Sequence, residues 1–240
     1  MLASRNSNPS SITSGDFNSD NRQDLAITNN NNNNTVSILL GNGDGSFQNQ
    51  LTYTTGKSAF SVISSDFNND SKLDLALANA GNNNVGVLLG NGDGTFQTQV
   101  TYPTGEFPVS IVSSDFNNDG KTDLAVANYF NNSLSVLLGD GNGNFQSQTI
   151  YLTGKRPVSV QAGKLNNDVN VDLVVVNTGS NSISVFLGNG NGTFQTSRTY
   201  KTGRNPSYTA IGDFNDDAKL DLVVINFLDH DGTIFLNICP

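Results

Sequence analysis

A nine-residue acidic stretch, written five times at a nearly fixed interval, constrains this chain more than any other feature. Its fullest copy is Asp115-Phe116-Asn117-Asn118-Asp119-Gly120-Lys121-Thr122-Asp123. Oxygen-bearing side chains stand at positions 1, 3, 5 and 9, and the apolar run Leu124-Ala125-Val126-Ala127-Asn128 follows directly. The other copies start at Asp16, Asp66, Lys164 and Asp213, so successive starts lie 50, 49, 49 and 49 residues apart. Self-similarity at such a period marks an array of one supersecondary unit whose copies bury their apolar faces against one another.

Each unit reads as four short strands. In the third unit the first strand falls at about 107–112 and leads into the acidic loop. The second, 123–128, is too uniformly apolar to be exposed on one face. An Asn- and Gly-rich loop leads to a third strand at 134–138, the turn Gly139-Asp140-Gly141-Asn142-Gly143 reverses the chain, and a more polar fourth strand is expected at 145–151. The landmarks recur in register: Gly-rich turns begin at Gly41, Gly90, Gly139 and Gly188, and Tyr53, Tyr102, Tyr151 and Tyr200 mark the fourth strand at the same interval. Four short antiparallel strands per unit predict an all-β fold, a β-propeller of four-stranded antiparallel blades. The units span about 9–56, 57–105, 106–154, 155–203 and 204–240. The fifth has a third strand at 232–237 and no outer strand. Either residues 1–4 pair with it and close a five-bladed ring, or the five units are a fragment of a longer array. The Asn-rich run 30–34 reads as an exposed loop.

Composition agrees with short strands: Gly is abundant at 24 residues, while the chain holds one Glu, one Met and no Trp. The regular apolar runs argue against disorder despite a hydrophobic content of only 35%. Charge is uneven. Of 20 Asp, 15 lie inside the five loops, against a net charge of −9. Such clustering points to bound cations; four divalent ions would leave about −1. The 12 Lys and Arg are scattered, so no basic stripe exists and nucleic acid is excluded as a partner. Cys239 is the sole cysteine and forms no internal disulfide. No apolar run approaches the roughly 20 residues of a membrane helix. The start, Met1-Leu2-Ala3-Ser4-Arg5-Asn6, is no signal peptide. A cytosolic chain or a missing N-terminus would each explain that. The sequons Asn33-Asn34-Thr35 and Asn131-Asn132-Ser133 permit glycosylation.

The loops read as metal sites. Calcium takes six to eight oxygens at about 2.3–2.6 Å. The proposed side-chain ligands are Asp16, Asn18, Asp20 and Asp24; Asp66, Asn68, Asp70 and Asp74; Asp115, Asn117, Asp119 and Asp123; Asp213, Asn215, Asp217 and Asp221. The backbone carbonyl at position 7 (Arg22, Lys72, Lys121, Lys219) would add another. Without a cation the carboxylates would repel and raise one another's pKa. An EF-hand is ruled out, because that loop closes with Glu at position 12 and enters a helix. In the fourth copy Lys164 replaces the first Asp and β-branched Val169 stands where glycine would help the turn. Asn166, Asp168 and Asp172 remain, and the loop is expected to hold no ion, the ammonium pairing instead with Asp168 or Asp172. Position 6 is Gly only at Gly120; Asn21, Ser71 and Ala218 should weaken their sites.

Other chemistry is sparse. The turns of the Gly41-Asn42-Gly43-Asp44-Gly45 type are hairpin chemistry, since no helix follows to hold a phosphate. Asp44 and Asp93 become Asn142 and Asn191, as a turn residue would. One His (His230, in a turn), one Glu and one Cys assemble neither a triad nor a zinc set. Tyr129, Phe130 and Phe227 fall in loops between second and third strands, and Phe60 and Phe107 near the connections between blades. All should reach the face opposite the acidic loops, as candidate ligand-binding residues.

The pattern Asp-Phe-Asn-x-Asp-x-x-x-Asp-Leu at 49-residue spacing, with Gly-Asn-Gly-Asp-Gly-Thr-Phe later in the unit, resembles the FG-GAP/VCBS repeat family over nearly the whole chain. The resemblance implies a propeller like the head of integrin α chains, commonly seven-bladed. There, calcium sits in loops between the first two strands of a blade. Such domains are typically extracellular or at the cell surface and serve adhesion or ligand binding. The expectation is a non-catalytic calcium-binding repeat domain that recognises a protein or glycan. The alternatives are an accessory propeller of a carbohydrate- or phospholipid-active enzyme, and a small five-bladed lectin.

Overall fold

The computed structural model describes residues 8–30, 34–166 and 168–237. They form five antiparallel sheets in chain order. Blade 1 comprises β1 (Pro9–Gly15), β2 (Asp24–Asn29), β3 (Thr35–Leu39) and β4 (Leu51–Thr54). Blade 2 comprises β5 (Ala59–Ser65), β6 (Asp74–Asn79), β7 (Asn84–Leu88) and β8 (Val100–Pro103). Blade 3 comprises β9 (Pro108–Ser114), β10 (Asp123–Asn128), β11 (Ser133–Leu137) and β12 (Thr149–Leu152). Blade 4 comprises β13 (Pro157–Gly163), β14 (Asp172–Asn177), β15 (Ser182–Phe186) and β16 (Arg198–Lys201). Among the described residues blade 5 comprises β17 (Pro206–Gly212), β18 (Asp221–Asn226) and β19 (Asp231–Phe235). Each sheet is a meander in which every strand pairs with its sequence neighbour.

The blades pack through their inner strands, with β1, β5, β9, β13 and β17 following one another side by side. Second strands lie between two neighbours, which is why they carry Ala, Leu and Val on both faces. β6, β10 and β14 are buried from end to end. In β2 and β18, at the ends of the array, the pattern is broken by partly exposed positions. Among the described residues β17 and β1 do not pack together as successive inner strands do, so these five blades form an open arc. The idea that residues 1–4 close a ring, and the single cysteine, lie outside the described residues.

The strands depart from expectation in two instructive ways. First strands run on to Ser114 and its counterparts, but Phe107 is not in β9: its φ of +60° is incompatible with a strand. The fourth strand begins not at Phe145 but at Thr149. Phe145 makes only an isolated bridge to Gly139 and turns its ring into the next interface. Phe96, Phe145 and Phe194 all do this. Phe96 lies 5.6 Å from both Phe17 and Tyr53 of the preceding blade. Phe145 stacks likewise on Phe67 and Tyr102, and Phe194 on Phe116 and Tyr151. Edge-to-face pairs of this kind add about 0.5–1.5 kcal/mol each beyond area burial. Blades 2, 3 and 4 thus each insert an aromatic plug into a socket made by position 2 of the acidic loop and the outer-strand Tyr of the blade before it. Smaller shifts place the third strand of the third unit at Ser133–Leu137 and that of the fifth at Asp231–Phe235.

Candidate metal centre

Each acidic loop joins the first strand of a blade to the second. In four of them the side-chain oxygens of positions 1 and 3 converge on one donor, the backbone amide of position 5. In the first loop Asp20 N–H lies 3.1 Å from Asp16 Oδ1 and 3.2 Å from Asn18 Oδ1. The same forked arrangement occurs at Asp70, with Asp66 and Asn68. It recurs at Asp119, with Asp115 and Asn117, and at Asp217, with Asp213 and Asn215. The other oxygen of position 1 accepts the amide of position 6, at 2.7 Å from Asn21 and 2.8 Å from Gly120. Position 5 in turn accepts the amide of position 7. Its outer oxygen faces the cation there: Arg22 at 4.0 Å from Asp20, Lys72 at 3.8 Å from Asp70, Lys121 at 3.6 Å from Asp119. These pairs are well exposed and contribute little stability.

The tight wrap needs left-handed backbone. Positions 4 and 6 take positive φ in all four loops: Ser19 and Asn21, Asn69 and Ser71, Asn118 and Gly120, Asp216 and Ala218. A β-branched residue resists that region, and Val169 is not in it. Of the fork at position 5, the fourth loop keeps the bond from Asp168 N–H to Asn166 Oδ1, and Lys164 offers no oxygen for the other. The expected ion pair does not form: among the described residues no salt bridge joins Lys164 to Asp168 or Asp172. Those carboxylates already accept backbone amides, Asp168 from Asn170 and Asp172 from Leu165 and Gly188.

Position 9 has a role that spacing did not reveal. Asp24, Asp74, Asp123, Asp172 and Asp221 are all buried beneath their loops. Asp74 accepts Phe67 N–H at 2.8 Å with one oxygen and Gly90 N–H at 2.7 Å with the other. Asp24, Asp123 and Asp172 do the same with position 2 and with the residue that opens the Gly-rich turn, and Asp221 does so with Phe214 and Asn237. The approach is close: a Cβ on Gly90 would sit 2.2 Å from the Leu73 carbonyl oxygen. Each of these aspartates therefore staples the acidic loop to the segment that leaves the third strand. Burial pushes the Asp74 and Asp123 carboxyls up to about 6, against the two amide bonds and with added repulsion from the loop carboxylates. Asp172 is raised for the same first reason. At Asp213, desolvation is the largest single influence, yet the amides of Ala218, Asp217 and Asn215 together outweigh it and hold the group below its ordinary value.

The donor set suits a hard cation: carboxylate, amide and backbone oxygens on one short loop. Among the described residues no three His, Cys, Asp or Glu side chains gather as a metal cluster by themselves, and the position-9 carboxylate is held by its two amides. Each of its oxygens keeps a second lone pair. The glycine-rich turns are hairpin chemistry, as expected. Asp44 Oδ1 accepts both the amide and the hydroxyl of Ser46, and Asp93 does the same with Thr95, which holds both carboxyls below the usual range. His230 sits in a turn with φ +57°.

At the opposite end of the blades, four of the five candidate aromatics meet. Phe107 lies 5.5 Å from Phe60, 4.7 Å from Phe130 and 6.2 Å from Tyr129, and the Arg156 guanidinium is 5.9 Å from the Tyr129 ring centre. Phe227 stands apart on blade 5, 63% exposed.

The chain matches the FG-GAP-like repeat family four times, over residues 16–77, 66–126, 115–175 and 164–224. It is a member of the FG-GAP repeat family, and its fold is that of a β-propeller. No curated protein sequence matches it significantly. Among solved structures it is similar to a streptogramin B lyase at 19% identity and a TM-score of 0.62, covering all of this chain and 72% of that one. Virginiamycin B lyase from Staphylococcus aureus matches at 17% identity and 0.61, covering 98% of this chain and 72% of the lyase. A functionally unknown protein from Desulfotomaculum acetoxidans matches at 13% and 0.64, covering 96% and 71%. At these identities the likeness is one of fold. Among the described residues no helix is long and apolar enough to cross a membrane.

Proposed function

We propose that this chain is a non-catalytic, calcium-stabilised propeller that binds a protein or glycan through the end of the blades opposite its acidic loops. One observation supports the calcium reading above others. Positions 1 and 3 turn their oxygens to a shared point in four loops, and the pattern is missing in the one loop that carries Lys164. The ligands would be the side chains at positions 1, 3 and 5, the carbonyl at position 7 and a free lone pair of the position-9 carboxylate. Bound calcium would neutralise the crowded carboxylates and fix each loop, stabilising the blade by about 2.7 kcal/mol per site at 100 times Kd. Extracellular modules work at calcium affinities of roughly 10⁻⁴–10⁻³ M, which fits the cell-surface setting of the family resemblance.

Support for the binding face comes from Phe107. Its counterparts Ser58, Arg156 and Asn205 take the same left-handed backbone. An aromatic there carries local strain on the order of 1–3 kcal/mol, and it brings the ring into the four-membered cluster. A melt in EGTA against millimolar calcium tests the first half of the proposal; equal melting temperatures for metal-stripped and calcium-loaded protein would reject it. A glycan and protein array read with parent and Phe130→Ala chains tests the second; binding unchanged by the substitution would place the ligand elsewhere.

A further inference from the structure

The surroundings of the aromatic cluster carry the opposite charge to the rest of the chain. Three connections lead into blades 2, 3 and 4 at that end, residues 55–58, 104–107 and 153–156. They hold Lys57, Lys155 and Arg156 against Glu106 alone, and the adjoining loops 80–83, 129–132 and 178–181 carry no charge. Three positive groups and one negative leave +2 there, in a chain whose net charge is −9. Lys57, Lys155 and Arg156 are exposed, and among the described residues no salt bridge engages them.

The side-chain amides beside the rings point the same way. Asn83 Oδ1 accepts Phe107 N–H at 3.0 Å, Asn131 Oδ1 accepts Glu106 N–H at 3.1 Å, and Asn132 Oδ1 accepts Arg156 N–H at 2.8 Å. A backbone N–H only donates, so each bond fixes which end of the amide is oxygen. Asn83 and Asn131 are exposed and Asn132 is half-buried. Among the described residues none of the three NH2 groups makes a hydrogen bond. The rim of the cluster therefore offers donors, its amide oxygens being already occupied by the backbone. Within that rim Phe130 is 54% exposed, and Arg156 lies over the Tyr129 ring.

Taking the binding face proposed above as given, we propose that its ligand is an acidic glycan, a chain of sugars that bear carboxylates. The apolar side of a sugar ring stacks on Phe130. The sugar carboxylate meets the Arg156 guanidinium, whose planar fork matches a carboxylate in bidentate geometry. Hydroxyl oxygens of the chain accept from Asn83, Asn131 and Asn132. A neutral glycan would leave the three cations unmatched. An acidic peptide suits the rim less well, because its backbone brings N–H donors to side chains whose oxygens are taken.

The test titrates the full chain calorimetrically, at one fixed calcium concentration, with hexagalacturonate and with the methyl ester of the same oligomer. The ester keeps the sugars and removes the charge. The acid should bind saturably, and the ester about tenfold or more weaker. Arg156→Gln should weaken the acid by a similar factor, change the ester little and leave the melting temperature at the parent value. Phe130→Ala should weaken both. Equal binding of acid and ester, each lowered by Phe130→Ala, would overturn the anionic class and leave the binding face in place. Acid binding untouched by Arg156→Gln would assign it to charge elsewhere on the chain and overturn the inference. Absence of binding by either oligomer would overturn it too, and the binding face would then stand or fall on the Phe130→Ala array.

Discussion

Replacing the stapling aspartate separates its structural duty from any part in holding an ion, because blade 4 retains the staple in a loop that has lost position 1. Asp172 is buried and accepts the amides of Leu165 and Gly188, both at 2.8 Å. Asp123 does the same for Phe116 at 2.9 Å and Gly139 at 2.8 Å. Substitution by Asn keeps one acceptor and turns an NH2 toward the other amide. One buried N–H loses its partner, at a cost of about 1–3 kcal/mol; relief of the desolvated charge draws the net toward the lower figure. At about 2–4 °C per kcal/mol for a chain of this size, each variant should melt about 2–12 °C below the parent in EGTA. With millimolar calcium the two should part. Asp172→Asn keeps its deficit, whereas Asp123→Asn falls further behind by up to the roughly 2.7 kcal/mol that a filled site contributes at 100 times Kd. Circular dichroism melts of parent and both variants, with and without calcium, give all the numbers needed. An Asp172→Asn chain within about 0.5 kcal/mol of the parent would refute the staple, and identical calcium responses of the two variants would refute a filled third loop.

Other expectations follow from the same contacts. In EGTA, Asp74, Asp123 and Asp172 carry raised carboxyls, so their contribution is present at low pH and lost as pH rises, through about 6 for Asp74 and Asp123. Metal-free protein should therefore melt higher at pH 5 than at pH 7; a flat or reversed trend over that window would contradict the burial argument. Phe145→Ala removes a buried plug and should cost about 3–5 kcal/mol in urea unfolding. Phe47→Ala, at a half-buried ring that enters no such socket among the described residues, should cost clearly less; equal costs would deny the plug its role. Lys164→Asp alone should not raise the bound calcium count, because Val169 still resists the left-handed turn. Lys164→Asp combined with Val169→Gly should raise it by about one, as read by atomic emission after dialysis.

Much of the fold was legible because period, strand pattern and turn chemistry all agree. The 49-residue beat placed every sheet, and the alternation of Ala with Leu or Val in 123–128 announced burial on both faces. What stayed hidden has a common cause: one residue type serves two physical ends. An aspartate that accepts two amides is indistinguishable in sequence from one that ligates an ion, so the staple at position 9 went unseen until Asp172 was found making the same bonds in the degenerate loop. Phe145 likewise fits the alternation of an outer strand, yet its ring turns into the neighbouring blade. Lys164 suggested an ion pair by charge alone, but the carboxylates within its reach were already engaged. The aromatic cluster was half legible. The loops of Tyr129 and Phe130 were correctly placed at one end, while the meeting with Phe60 and Phe107 depends on how adjacent blades sit.

The most direct measurement is calcium stoichiometry on metal-stripped protein by isothermal titration or equilibrium dialysis. The expected result is four ions per chain, one for each loop in which positions 1 and 3 share an amide, falling to three in Asp115→Ala. No bound calcium at millimolar concentration, or a count untouched by Asp115→Ala, would contradict the proposed role of these loops.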